Sequence, residues 1–192
     1  MLIRKGQWLL TTVLVLIVLF FTWIFIVNRD AEFIFYVGVI IIVSTIIIVT
    51  NKRLKYPTFL LWALILWGLL HMAGGTFFIN GIHLYDYILI RLSATLPILR
   101  YDQLVHLIGF GASTLLMHHL LKPALQHPVT TPVRHAIVIV MAGLGVGALN
   151  EIIEFIVTIF VAQPIGGFQN SMLDLIFDLI GAVLALFIIR KQ

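Results

Sequence analysis

Six apolar stretches, each long enough to cross a lipid bilayer, constrain this chain more than any other feature of its sequence. They lie at roughly 7–27, 33–50, 58–79, 103–121, 136–160 and 171–189. A membrane-spanning helix needs about 20 mostly apolar residues. Pro57, Pro123 and Pro164 fall in the polar breaks between the stretches, where helices are expected to end. The pattern predicts an all-α, polytopic membrane helical bundle, with about six transmembrane helices in a single transmembrane domain over residues 1–192.

Composition excludes a water-soluble globule, because 61% of the residues are hydrophobic and only 10% are charged. Soluble domains carry roughly 25% charged residues. The net charge of +4 is spread between the apolar stretches, so no nucleic-acid partner is expected and membrane lipids are the expected surroundings. The first stretch is about twice as long as a signal-peptide core and no A-x-A cleavage site follows it, so it is interpreted as a retained span.

Residues 80–100, "NGIHLYDYILIRLSATLPILR", are apolar but contain Asp86, Arg91 and Pro97. These three residues disfavour a seventh span. We expect an interfacial amphipathic helix or a re-entrant segment.

Orientation follows from the distribution of lysine and arginine, which is biased toward cytoplasmic loops. With the N-terminus inside, nine of these residues are cytoplasmic and three, Arg29, Arg91 and Arg100, are outside. An even number of spans then puts both termini in the cytoplasm.

On this topology, seven ionisable residues share one depth, about 5–12 Å beneath the outer surface at 1.5 Å per helical residue. They come from the third to the sixth spans: His71, Asp102, His106, Glu151, Glu154, Asp174 and Asp178. Within the fourth, fifth and sixth spans the residues are three or four apart and therefore share a helix face. Asn150 and Asn170 each precede one of the carboxylates by four residues. Because such a face is costly to expose to lipid, we expect an outward-facing polar site inside the bundle, with glycines on the same helices allowing close approach.

Three kinds of chemistry fit such a site. It can be a divalent metal centre for Zn, Mn or Fe, a proton or ion relay, or a hydrogen-bonded network that fixes helix register. In the metal scheme the candidate ligands are His71, His106, Asp102, Asp174 and Asp178; Glu151 and Glu154 are the candidate catalytic bases, and Asn150 and Asn170 are candidate ligand-binding residues.

Two other features have less specific interpretations. His118, His119, His127 and His135 fall on the cytoplasmic side, where contact with lipid headgroups is favoured over a second metal site. The turn "PIGGF" at 164–168 is either a lid or an ordinary connector.

Four ordered segments carry a resemblance: "LLHMAGG" (69–75), "YDQLVHLIGFG" (101–111), "NEIIEF" (150–155) and "NSMLDLIFDLIGA" (170–182). They resemble the YjdF-type family of bacterial inner-membrane proteins over about residues 60–190, and more weakly the VanZ-like proteins. The resemblance implies a bacterial inner-membrane location. It marks the same seven ionisable residues and implies no activity, since the YjdF-type family has none established.

Two functional hypotheses follow from the sequence. The first is a metal-dependent hydrolase acting on a lipid or lipid-linked substrate from the outer leaflet. The alternative is a non-enzymatic membrane protein: a small transporter, an ion relay or an envelope-stress factor with a structural polar network.

The predicted orientation can be tested with a reporter fused after Gln192. A fluorescent protein that folds only in the cytoplasm should be bright at this position, and a periplasmic phosphatase should be inactive. The opposite pair of results would invert the topology and place the polar residues near the cytoplasmic face.

Overall fold

A computed structural model describes residues 3–4, 6–124, 132–161 and 167–191 of the protein. These ranges contain six α-helices, two short strands and a 3₁₀ turn: α1 (Trp8–Asn28), α2 (Ala31–Leu54), α3 (Thr58–Thr76), β1 (Phe78–Ile79), β2 (Ile82–His83), α4 (Tyr101–Leu121), the turn Lys122–Ala124, α5 (Pro132–Val161) and α6 (Phe168–Ile189). All six helices are long and apolar enough to cross a membrane. The predicted all-α polytopic fold is therefore confirmed.

The observed helix ends differ from the predicted ones for local reasons. Helix α5 begins at Pro132, four residues earlier than expected. Proline is favoured in the first helical turn, where its missing N–H leaves no hydrogen bond unmade. Helix α2 has Asp30 as its N-cap, whose side chain accepts a hydrogen bond from Phe33 N at 3.1 Å. Lys52 and Arg53 lie in its last turn, where positive charge complements the helix dipole.

The prediction of an amphipathic helix at 80–100, one of the two alternatives, is wrong, because these residues form a hairpin turn and irregular loops. Asn80 and Gly81 have φ values of 52° and 80°, and they connect antiparallel strands in which Ile79 pairs with Ile82. Two positive φ values at an Asn-Gly pair are the signature of a type I′ hairpin turn. No helix lies between Thr76 and Tyr101, so a seventh helical span is excluded, whereas the re-entrant alternative stays a prediction.

The chain divides into two compact units, Met1–Leu84 and Tyr85–Gln192; the single-domain interpretation stays a prediction. In the first unit, α1 packs against α2 and α3. A buried polar network ties the start of α1 to the end of α2: Asn51 Nδ2 donates to Gln7 Oε1 at 2.7 Å. Nearby, Arg4 Nη1 donates to the main-chain oxygen of Tyr56 at 3.1 Å.

In the second unit, α4 packs most extensively against α6 and also against α5, which itself contacts α6. Glycines allow the close approach of these helices, as predicted. A Cβ atom at Gly181 would overlap the main-chain oxygen of Leu107 and lie 3.1 Å from Gly111 N. A Cβ atom at Gly143 would overlap the hydroxyl of the fully buried Thr114. The backbones of α4 and α6 therefore touch where Gly181 lacks a side chain.

We predict that Gly181→Ala destabilises the protein, because the added methyl group meets main-chain atoms that cannot rotate away. Overpacking of this kind typically costs about 1–3 kcal/mol. Gly145→Ala is the matched control, since a Cβ atom there has no neighbour within 4 Å. Thermal unfolding in detergent should show a lowered midpoint for Gly181→Ala only; equal midpoints would show that α4 and α6 do not pack this closely.

Candidate metal centre

Six ionisable residues of the second unit meet where α4, α5 and α6 pack together. Asp102 lies in the first turn of α4, and His106 lies one turn later on the same face. Helix α5 contributes a Glu pair three residues apart, and α6 contributes an Asp pair four residues apart. We call this group the α4–α6 cluster: Asp102, His106, Glu151, Glu154, Asp174 and Asp178. The contacts described below bring these six residues together. His71, which was predicted to converge with them, lies in the first unit, and the site roles predicted for all seven residues stay predictions.

The beginning of α4, and with it Asp102, is fixed by Gln103. The Gln103 side chain is fully buried. Its Oε1 accepts hydrogen bonds from Leu99 N at 2.6 Å and Arg100 N at 3.0 Å, and its Nε2 donates to Pro97 O at 3.1 Å. Three bonds from one amide thus hold the preceding loop against the first turn of α4. Sequence reasoning missed this residue, although glutamine at the third helical position is part of the capping-box pattern.

His106 is buried, and both of its ring nitrogens face carboxylates. Nδ1 lies 2.9 Å from Asp178 Oδ1, which is hydrogen-bond distance. Nε2 lies 3.7 Å from Asp102 Oδ1 and 3.8 Å from Glu151 Oε1, which is too long for a direct hydrogen bond. An ionised carboxylate can only accept a hydrogen bond, so Asp178 favours the tautomer with the proton on Nδ1. Nε2 then faces Asp102 and Glu151.

Asn170 connects the cluster to the guanidinium group of Arg100 at its edge. Its Nδ2 donates to Asp102 Oδ2 at 3.2 Å and also to Asp174 Oδ2. Its Oδ1 accepts from Arg100 Nη1 at 3.0 Å, and the same nitrogen lies 3.3 Å from Asp86 Oδ1. The amide therefore orients two carboxylates of the cluster. The direct ligand-binding role predicted for Asn170 stays a prediction.

Asn150 has a similar role on α5, where its Nδ2 donates to Glu154 Oε1 at 2.8 Å. Both asparagines thus hold a carboxylate one helical turn away, as their spacing of four residues suggests. The ligand-binding role predicted for Asn150 likewise stays a prediction.

Several carboxylate oxygens of the cluster are buried without a hydrogen-bond partner in the described part of the chain. They are both oxygens of Glu151, Oδ1 of Asp174 and Oδ2 of Asp178. Ser171 approaches Glu151 closely enough to favour its carboxylate, but no hydrogen bond of ordinary geometry joins them. Asp174 and Asp178 are fully buried. Leaving such groups unpaired is costly, so these oxygens are available to a cation or to a hydrogen-bond donor.

Two overlapping groups in the cluster have the spacing of metal ligands. In one, single ligand atoms of Asp102, His106 and Asp174 all lie within 4.8 Å of one another. In the other, the same holds for His106, Glu151 and Glu154. Both groups contain imidazole and carboxylate, which are ligands for Zn, Mn and non-haem Fe.

His71 lies in the first unit and belongs to neither of these groups. It is buried on α3, with ring centroids 5.1 Å from Tyr36, 5.7 Å from Trp67 and 6.2 Å from Phe33. These described neighbours are aromatic rings that pack against the imidazole. The metal-ligand role predicted for His71 stays a prediction.

Two histidines of the predicted cytoplasmic group pair between α4 and α5. His118 Nδ1 lies 3.1 Å from His135 Nε2. His119 follows on α4, whereas His127 lies outside the described residues. Most of the "PIGGF" turn also lies outside them.

Residues 9–192 match a family described as a predicted membrane protein family, DUF2238. The chain belongs to this family. YjdF is a member of it, so the resemblance drawn from the four sequence segments is confirmed. No curated protein and no solved structure matches the chain. Membership and the six long apolar helices together identify a multi-pass membrane protein with a buried His/Asp/Glu cluster.

Proposed function

We propose that the α4–α6 cluster is a divalent metal centre and that the protein is a metal-dependent membrane hydrolase acting on a lipid or lipid-linked substrate. One observation carries the proposal: His106 is held by Asp178 through Nδ1, and its Nε2 faces two further carboxylates without bonding to either. Histidines that bind metals commonly donate their other N–H to a carboxylate in this way. Asp178, predicted as a ligand, is therefore proposed to position His106.

The separations around Nε2 fit a cation better than a hydrogen bond. Ligands bonded to a metal at about 2.1 Å in a tetrahedral arrangement lie about 3.4 Å from one another. The observed separations of 3.7 and 3.8 Å exceed this by only a few tenths of an ångström. Each of the two pairs, Nε2 with Asp102 and Nε2 with Glu151, is therefore close to the separation of two ligands bound to one cation.

A bound cation would also offset the charge that the cluster concentrates inside membrane-spanning helices. Carboxylates in such helices are costly unless they are paired. A hard or borderline dication would use the unpartnered oxygens of Asp174 and Glu151. No cysteine is present in the sequence, so the ligand set contains only nitrogen and oxygen.

The hydrolytic part of the proposal rests on the chemistry of this ligand set. A bound divalent cation polarises a water molecule and makes it a nucleophile at neutral pH. Glu151 and Glu154 face the same position as His106, either as general base or as further ligands. A lipid or lipid-linked substrate is proposed because the cluster lies on helices that cross the membrane. An opening toward the outer leaflet of a bacterial inner membrane belongs to the same proposal.

A non-enzymatic role is the second candidate, and the chain of hydrogen bonds at the edge of the cluster favours it. A continuous polar network that needs no metal runs from Arg100 through Asn170 to the carboxylates of Asp102 and Asp174. Such a network can fix helix register or relay protons. The two candidates differ in whether the protein is stabilised by a cation.

We predict that metal removal destabilises the protein, because a cation that binds only the folded state stabilises it by mass action. At a concentration 100 times its Kd the gain is about 2.7 kcal/mol. Full-length protein loaded with Zn²⁺ or Mn²⁺ should unfold in detergent roughly 5–10 °C above chelator-treated protein. Glu151→Gln should lose most of this difference, since the amide is a poor ligand.

Glu32→Gln is the matched control, because Glu32 lies on α2 in the first unit and belongs to neither ligand group. It should keep the full difference between loaded and chelated protein. The metal centre is contradicted, and the polar network supported, if chelator leaves the unfolding temperature of the parent protein unchanged and Glu151→Gln is equally or more stable.

A further inference from the structure

We infer that the α4–α6 cluster binds two divalent cations rather than one, with Glu151 bridging them. The inference rests on the proposed function and specifies the kind of centre. It follows from three observations on the same residues: the two overlapping ligand groups, the unpartnered oxygens and the balance of charge.

His106 cannot bind a cation in both ligand groups. Both groups include this residue, but its Nδ1 is hydrogen-bonded to Asp178, which leaves only Nε2 to bind a metal. One cation therefore takes Nε2, together with Asp102 and Asp174. A cation at the other group, beside Glu154, needs a ligand that reaches both positions.

Glu151 has the properties of such a ligand. Its side chain is only 9% exposed, and neither of its oxygens accepts a hydrogen bond of ordinary geometry among the described residues, although Ser171 lies close. Its Oε1 is 3.8 Å from His106 Nε2, and the residue lies one helical turn from Glu154 on α5. A carboxylate with both oxygens available can join two cations about 3.5–4 Å apart, the separation found in two-metal hydrolytic sites. Asp174 Oδ1 supplies a second unpartnered oxygen, in the group that contains His106.

The charge balance also favours more than one dication. The cluster has five carboxylates: Asp102, Glu151, Glu154, Asp174 and Asp178. With these ionised and His106 neutral, one dication leaves a formal charge of −3, whereas two leave −1. Arg100, linked through Asn170, is offset by Asp86, whose Oδ1 lies 3.3 Å from its Nη1, so the total with two cations stays at −1. Since uncompensated charge inside membrane helices is costly, two cations are favoured over one.

This arrangement changes the role of the two glutamates. Glu151 and Glu154 become ligands, and a separate general base is not required, because two cations together activate a shared water molecule.

The test is the number of cations bound per chain. Full-length protein, purified in detergent without a histidine tag and stripped with chelator, is reloaded with Mn²⁺ and desalted. Elemental analysis should give two Mn²⁺ per chain, and the electron paramagnetic resonance spectrum should show two coupled ions. One Mn²⁺ per chain would overturn the second cation and leave the proposed function standing. No bound Mn²⁺ would overturn both, and two uncoupled ions would overturn the bridge.

Three variants assign the ions to their positions. Glu154→Gln should reduce the count from two to one, and Glu32→Gln should keep two; retention of both ions by Glu154→Gln would overturn the assignment. His135→Ala removes one imidazole of the His118–His135 pair and should also keep two. Loss of one ion in His135→Ala would place it at that pair and overturn the inference. If Glu154→Gln fails to fold, the count and spectrum of the parent protein still decide.

Discussion

The hydrogen bond between His106 Nδ1 and Asp178 Oδ1 joins α4 to α6 inside the second unit, and the rest of the site is organised around it. It is possible only because the two helix backbones come into contact at Gly181, with Gly111 opposite. Gly147 on α5 has a related role, since a Cβ atom there would overlap Asp178 Oδ2. The glycines thus set the helix separation at which the imidazole and the carboxylates can meet.

Burying carboxylates in membrane helices is expensive, and the second unit reduces the cost with hydrogen bonds from side-chain amides. Asn150 and Asn170 donate hydrogen bonds to Glu154, Asp102 and Asp174. These amides leave other oxygens of the cluster without partners. A polar network formed only for stability would be expected to satisfy its buried groups more fully. The unpartnered oxygens are therefore the main support for the proposal that the cluster binds a cation.

Much of the fold could be predicted from the sequence, because the length of an apolar stretch directly reports a membrane-spanning helix. The cluster could also be predicted, since residues at one depth and on one helix face can avoid lipid only by facing each other. The hairpin at Asn80 and Gly81 was missed because the hydropathy of residues 80–100 outweighed a local turn signal. The role of Gln103 was missed although its hydrogen bonds are local and follow the capping-box pattern. The contact of Arg100 with Asn170 and the tautomer of His106 could not be predicted, because they depend on atomic contacts between segments distant in sequence. His71, predicted at the same depth, lies in the first unit, where its imidazole packs against the rings of Phe33, Tyr36 and Trp67.

The central claim is that His106 Nε2 and the carboxylates around it bind a metal directly. X-ray absorption spectroscopy of the Zn²⁺-loaded, full-length protein tests this most directly. The account predicts a first shell of one imidazole nitrogen with oxygens at about 2.0–2.2 Å, and loss of the imidazole contribution in His106→Asn. A spectrum of hydrated zinc, or an imidazole contribution that persists in His106→Asn, would contradict it.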